Sequence, residues 1–113
     1  MKRIEATIQA TKVGAVSDAI NDIVGGFSIL EGNGRGSGER QTIRAGRGTG
    51  TMVAEYNKIA VISTVVDDAE VEKVSTAIAG ASFTGKGGDG IIVVTNVESV
   101  LNIASKKTGS EAL

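Results

Sequence analysis

The chain has 113 residues, of which 41% are hydrophobic and 22% charged, which is typical of one small globular domain. Its formal net charge of −1 does not favour nucleic acid or an anionic membrane as a partner for the whole chain. The chain has no Cys and no His, which excludes disulfides, zinc–cysteine sites and catalysis by Ser-His-Asp or Cys-His groups. No apolar run approaches the ~20 residues of a membrane span and no signal peptide is recognised, so we expect a cytoplasmic protein that is not inserted in a membrane.

Glycine is frequent and clustered, with 16 glycines and no proline. Seven glycines lie between Gly32 and Gly50, and four lie between Gly85 and Gly90. Clustered glycine gives the backbone freedom at particular places, either for close approach to a ligand or for a mobile loop. The two clusters are therefore the first candidates for function.

The first part of the chain predicts a strand, a helix and a second strand. Residues 3–9 alternate between apolar and polar, as in a half-buried strand. Apolar residues then recur at helical spacing between Thr11 and Ile23, and Gly25-Gly26 is expected to end this helix as a C-cap. Phe27 to Leu30 predicts the second strand.

Residues 31–57 show no stable period and are predicted to be a long loop. A loop of more than ~15 residues in a compact domain is usually functional or disordered. Two pieces within it, QTIRA at 41–45 and TMVAEY at 51–56, are able to pair transiently as a hairpin.

The second part repeats the layout of the first. Lys58 to Val66 predicts a buried strand, and Asp67 with Glu70 predicts a capping box before a helical stripe from Val71 to Ala81. After a glycine-rich turn at 84–90, Ile91 to Val94 predicts a fourth strand. Four apolar residues, Val97, Val100, Leu101 and Ile103, are expected to anchor a short element before a polar tail at 104–113.

This order predicts an α+β fold of the ferredoxin-like βαβ-βαβ type, with a four-stranded antiparallel sheet and both helices on one face. One face of such a sheet stays uncovered. Because Ile4, Ile8 and Ile62 are not expected to fit together under two helices, the pattern favours burial of a second apolar face in an oligomer.

The two glycine clusters each have a functional and a structural interpretation. The amides of Gly85 to Gly90, with Lys86 adding charge, are able to form an anion-binding nest, or the segment is simply a tight helix-to-strand turn. The glycines from Gly32 to Gly38 allow close approach to a ligand, with Arg35 or Arg40 binding phosphate or carboxylate, or they form only a flexible loop base. An RNA-binding module using the arginine–glycine loop is a weaker alternative, because the chain has two Phe, one Tyr and no Trp for stacking.

Over nearly its full length the chain resembles the PII-type nitrogen-regulatory signalling proteins. The resemblance is carried by the opening MKRIEATI, Gly34 and Gly36 before the long loop, Lys58 opening strand three, VVDDAEVEKV at 65–74, TGKGGDGIIVV at 84–94 and the C-terminal TGSEAL. It implies one PII-like domain over 1–113, forming a homotrimer that binds adenine nucleotides between subunits. It also implies that the long loop, the T-loop at about 36–57, contacts a partner transporter or metabolic enzyme, and that the protein is a sensor rather than an enzyme.

The resemblance also implies which residues bind ligand, with no catalytic residue and no metal. The implied nucleotide-binding residues are Ser28, Gly34, Gly36, Ser37, Gly38, Thr64, Gly87, Gly88, Asp89, Gly90, Lys106 and Lys107. The residues implied for a small anion or for the T-loop are Arg35, Arg40 and Lys58.

Departures from the family pattern refine these expectations. Gly38 stands where the glutamine of 2-oxoglutarate-binding members is expected, and Ile91 replaces a basic residue. Without a gap the two C-terminal arginines fall on Asn102 and Ala104, and Lys106 and Lys107 replace them only if a short insertion is allowed. Each lost charge-assisted contact is worth ~1.5–3 kcal/mol, so we expect ADP or AMP to be favoured over ATP. The divergence resembles the PII-like branch linked to carboxysomes and bicarbonate uptake, with bicarbonate a further candidate ligand. The alternative is a standard nitrogen-regulatory PII protein that responds to ATP and 2-oxoglutarate.

Overall fold

The computed structural model describes residues 1–36, 40, 42–44 and 50–113. Its regular elements, in chain order, are β1 (Lys2–Gln9), α1 (Val13–Ile20), β2 (Ser28–Gly34), β3 (Thr42–Arg44), β4 (Thr51–Val53), β5 (Asn57–Val66), α2 (Val71–Ser82) and β6 (Gly90–Asn96). Short 3₁₀ helices lie at Ala10–Lys12, Asp68–Glu70 and Gly109–Ala112. None of the helices in these ranges is long and apolar enough to cross a membrane.

The main sheet has four strands in the order β2-β5-β1-β6, and every neighbouring pair is antiparallel. With one helix inside each half of the chain, this is the predicted ferredoxin-like α+β arrangement. The hairpin predicted within the long loop is also confirmed, since β3 and β4 pair antiparallel from Thr42 opposite Val53 to Arg44 opposite Thr51.

Three local predictions were wrong. Strand β2 continues to Gly34, because it pairs along β5 well beyond Leu30. Helix α1 ends earlier than the predicted Gly25-Gly26 cap, since its C-cap is Asn21 in a right-handed helical conformation. The capping box is absent at Asp67, whose side chain does not cap the helix and instead accepts a 2.5 Å hydrogen bond from the Ser110 hydroxyl.

The hydrophobic core lies between the two helices and the sheet. Ile4, Ala6 and Ile8 of β1 and Ala60 and Ile62 of β5 are buried, together with apolar residues of both helices, Val16, Ile20, Val74 and Ile78. The expectation that Ile4, Ile8 and Ile62 do not fit together under two helices was therefore wrong. Because β1 and β5 are the two central strands, both helices cover them.

The opposite face of the sheet carries a second set of apolar residues. Leu30 of β2 is 71% exposed, and Ile91 and Val93 of β6 are 64% and 44% exposed. Val61 and Val65 of β5 alternate with the buried residues and so belong to the same uncovered face. The uncovered face thus carries apolar residues of β2, β5 and β6 and contains none of the three isoleucines named from the sequence.

The C-terminal residues fold back on the domain. Leu101 and Thr108 form an isolated β-bridge. The side-chain Nδ2 of Asn102 donates a hydrogen bond to the Ala112 carbonyl at 3.2 Å. Leu101 and Ile103 are 58% and 83% exposed, so the prediction that they anchor this element was wrong. The anchoring comes from the Asn102 side chain and from Ala112, which is buried.

Candidate functional site

Glycines from both clusters, which are far apart in the sequence, line one groove. Two cavities, of about 470 and 390 Å³, share Asn57, Ile59 and Gly88 as lining residues. The other lining residues come from the end of β1, the start of the long loop and the turn before β6, namely Thr7, Ile8, Gln9, Gly34, Arg35, Gly36, Arg40, Thr42, Thr84, Lys86, Gly87, Gly90 and Ile91. We call these two adjoining cavities the glycine groove.

The strand register explains why distant segments meet there. Gly34 pairs with Asn57 at one side of the sheet, and Ile8 pairs with both Ala60 and Gly90. Because neighbouring strands are antiparallel, the last residues of β1 and β2 lie beside the first residues of β5 and β6. The loop after β2 and the turn before β6 therefore leave the sheet at the same end.

The turn between α2 and β6 is organised by Asp89. One carboxylate oxygen of Asp89 accepts hydrogen bonds from the amides of Thr84 at 2.7 Å and Gly85 at 3.0 Å. The other accepts a hydrogen bond from the Thr84 hydroxyl. The Ser82 hydroxyl donates to the Asp89 carbonyl at 3.1 Å. Both carboxylate oxygens thus hold the turn from within, and the turn lines the groove with Thr84, Lys86, Gly87 and Gly88.

These hydrogen bonds make the turn sensitive to pH. The pKa of Asp89 is lowered from its ordinary value of 3.8, first by the Thr84 hydroxyl and then by the amides of Thr84 and Gly85. A lowered native pKa contributes stability that is present above the unfolded value of ~3.9 and is lost as pH falls through the native value.

We therefore expect Asp89→Asn to be less stable than the native protein at neutral pH, and this difference to shrink below pH ~4. Urea unfolding, followed by circular dichroism at several values between about pH 2 and pH 7, measures this stability difference across the range in which carboxyl groups titrate. Asp22 is exposed, so Asp22→Asn is the control for the loss of one negative charge. A stability difference for Asp89→Asn that does not change with pH would contradict this assignment.

Cationic side chains lie at two positions around the glycine groove. Arg40 and Lys86 line its larger cavity, together with Gly87 and Gly88. Arg35 lines the smaller cavity, beside Gly34 and Gly36. The groove thus combines exposed glycine residues with positive charge, which is a combination suited to a phosphate or carboxylate.

Several residues named from the sequence are not among those that line the glycine groove. Thr64 is buried on the helix side of the sheet, where its hydroxyl donates to the Gly26 carbonyl at 2.6 Å. Ser28 begins the strand that Gly34 ends, so at ~3.3 Å per residue the two lie about 20 Å apart. Lys58 lines a neighbouring cavity of about 250 Å³ with Glu31 and Asn33.

Lys106 and Lys107 are exposed in the C-terminal turn, where Lys106 has a φ of 64°. They are not among the described residues that line the glycine groove. Ser37 and Gly38 lie outside the residues that the structure describes.

The structure adds groove residues that the sequence did not indicate. The Gln9 side chain donates to the Gly88 carbonyl at 3.3 Å and so ties β1 to the glycine turn. Asn57 and Ile59 line both cavities from the first residues of β5. Nothing in the residue pattern distinguished these three from ordinary strand residues, because only the strand register places them beside the turn.

Comparison with known proteins agrees with this architecture. The family model described as "Nitrogen regulatory protein P-II" matches residues 1–107. Proteins of that name from Azospirillum brasilense and Rhizobium meliloti (strain 1021) are 35% and 36% identical over 116 aligned residues, and one from Nostoc punctiforme is 36% identical over 114. Each alignment covers 100% of both chains. The chain therefore belongs to the P-II family of regulatory signalling proteins.

Proposed function

We propose that the protein binds an adenine nucleotide in the glycine groove and that the occupied groove controls a partner transporter or metabolic enzyme through the loop between β2 and β5. The observation that carries this proposal is the meeting of Gly34 and Gly36 with Gly87 and Gly88 around Asn57 and Ile59. Exposed glycine residues with nearby cations favour the phosphate end of a nucleotide. Ligand binding at the loop base would then shift the populations of loop conformations that a partner recognises.

We propose further that the nucleotide lies between subunits of a homotrimer. Ser28 lies about 20 Å along β2 from Gly34, so one nucleotide does not reach both residues within one chain. A second copy packed on the uncovered sheet face would bring its own β2 to the groove. That face offers Leu30, Ile91 and Val93, whose exposure favours burial in an assembly.

The groove favours ADP or AMP over ATP in this proposal. Ile91, an apolar residue, lines the groove directly after the turn. The cations in the part of the groove described are Arg35, Arg40 and Lys86. With few cations to compensate a triphosphate, each additional phosphate adds charge without a matching partner.

Titration calorimetry with AMP, ADP and ATP, with and without Mg²⁺, tests this function. We expect binding of ADP and AMP, with ATP weaker, and light scattering should show a trimer. Repeating the titrations with 2-oxoglutarate or bicarbonate distinguishes a nitrogen-responsive protein, as the names of the relatives suggest, from a carbon-responsive one. No heat from any adenylate at millimolar concentration would contradict the proposal.

The arginine–glycine loop leaves RNA as a second candidate ligand. RNA binding predicts an affinity for single strands that falls steeply with salt. A filter-binding assay at low salt tests it on the same protein preparation. We expect no retention of RNA, because the chain has two Phe, one Tyr and no Trp for base stacking, and Arg35 lies over the ring of that tyrosine, Tyr56.

A further inference from the structure

The ring of Tyr56 lies beside a groove residue at the point where the long loop rejoins the sheet. The β2–β5 ladder ends with Gly34 opposite Asn57. In this antiparallel register the next position on each strand is Arg35 and Tyr56. The guanidinium carbon of Arg35 lies over the Tyr56 ring, 5.5 Å from its centre.

A second contact orients the same guanidinium. The Nε–H of Arg35 donates to the Glu55 carbonyl at 3.0 Å. The Tyr56 ring attracts the face of the guanidinium through the ring quadrupole, whereas the hydrogen bond uses one donor at its edge. Because one contact engages the face and the other engages the edge, together they define the orientation of the whole planar group.

The oriented guanidinium borders the glycine groove. Arg35 lines the smaller cavity beside glycines of both clusters. A guanidinium carries its five donors in one plane and binds phosphate or carboxylate in a bidentate manner. Neither the Tyr56 ring nor the Glu55 carbonyl uses the terminal Nη groups in these contacts. Those groups can therefore bind an anion in the cavity while the ring still holds the plane.

We infer that Tyr56 is a positioning residue of the groove: its ring holds the Arg35 guanidinium in an orientation that binds a phosphate group of the ligand. This inference rests on the proposed binding of an adenylate in the groove. Ordering a long side chain with many rotamers at the moment of binding lowers affinity. Because Tyr56 and Glu55 hold Arg35 before the ligand arrives, the fold has already ordered the group that the phosphate contacts.

Loss of the ring should weaken ADP binding through its effect on Arg35. Tyr56→Leu should lower the ADP affinity about two- to fivefold, the equivalent of one exposed cation–π contact. Tyr56→Phe is the matched control, because it keeps an aromatic face and should bind ADP as the native protein does. Titration calorimetry with ADP measures all three proteins.

A double-variant cycle separates positioning through Arg35 from a general effect on the fold. Lysine keeps the charge of arginine but has no planar fork to orient, so Arg35→Lys should weaken ADP binding on its own. In the Arg35→Lys background, Tyr56→Leu should cause no further loss. An equal loss from Tyr56→Leu in both backgrounds would contradict positioning through Arg35.

Fluorescence tests whether the contact persists when the ligand is bound. Tyr56 is the one tyrosine of a chain without tryptophan. Acrylamide quenching of its emission, excited at the red edge where adenine absorbs weakly, reports how exposed the ring is. In Arg35→Lys the quenching constant should be higher than in the native protein, because one face of the ring loses its planar cover. In the native protein saturating ADP should not raise the constant.

The outcomes distinguish this inference from the proposed function. Native affinity in Tyr56→Leu, or a quenching constant that rises when ADP binds to the native protein, would overturn the positioning role and leave nucleotide binding in place. Absence of ADP binding to the native protein in calorimetry would instead overturn the proposed function itself.

Discussion

Gly90→Ala should lower the free energy of unfolding by at least ~3 kcal/mol, because the site combines two independent costs. Gly90 has a φ of +118°, a conformation that L side chains rarely adopt and that costs ~1–3 kcal/mol. A Cβ built on Gly90 would also lie 2.0 Å from the carbonyl oxygen of Thr7. Since this neighbour is backbone of a paired strand, relief requires the first residues of β6 to move away from β1.

Gly88→Ala is the control for the conformational cost alone. Gly88 has a φ of +95°, but nothing lies within 4 Å of its added Cβ. We expect it to lose ~1–3 kcal/mol, clearly less than Gly90→Ala. Urea unfolding of both variants beside the native protein measures the difference, and equal losses would contradict the steric argument. If Gly90→Ala does not accumulate as folded protein while Gly88→Ala does, that difference itself supports the steric argument.

The second large effect is expected at the groove cations. Lys86→Ala should weaken ADP binding by about tenfold or more, because a charge-assisted contact is worth ~1.5–3 kcal/mol. Arg40→Ala should act in the same direction, and the double variant should lose about 100-fold if the two contacts are independent. Both cations line the cavity that also presents Gly87 and Gly88.

Calorimetry at two salt concentrations measures these losses. Because the cavity is open to solvent, the effect of Lys86→Ala should shrink as salt rises. Lys73→Ala on the exposed side of α2 is the control, and it should bind ADP as the native protein does. Native affinity in the double variant would show that the phosphates do not lie between Arg40 and Lys86.

Much of the fold could be predicted because its signals are local. Alternation in β1 and helical spacing in α1 and α2 depend on residues close in sequence, and the structure confirms those elements. Several of the wrong predictions are at element ends, where contacts with residues distant in sequence decide. Strand β2 extends to Gly34 because β5 pairs with it, and Asp67 bonds to Ser110, which is 43 residues away.

The sequence by itself determined the ferredoxin-like order, the two glycine clusters and the cations beside them. Only the tertiary structure decided that the clusters meet, because antiparallel pairing brings the end of β2 and the start of β6 to the same end of the sheet. It also decided that the side chains of Thr64 and Asp89 form hydrogen bonds with the protein's own backbone, and that Arg35 lies over the Tyr56 ring. Composition and spacing identify which groups are available, but a contact between residues far apart in sequence depends on strand register, which is a property of the folded chain.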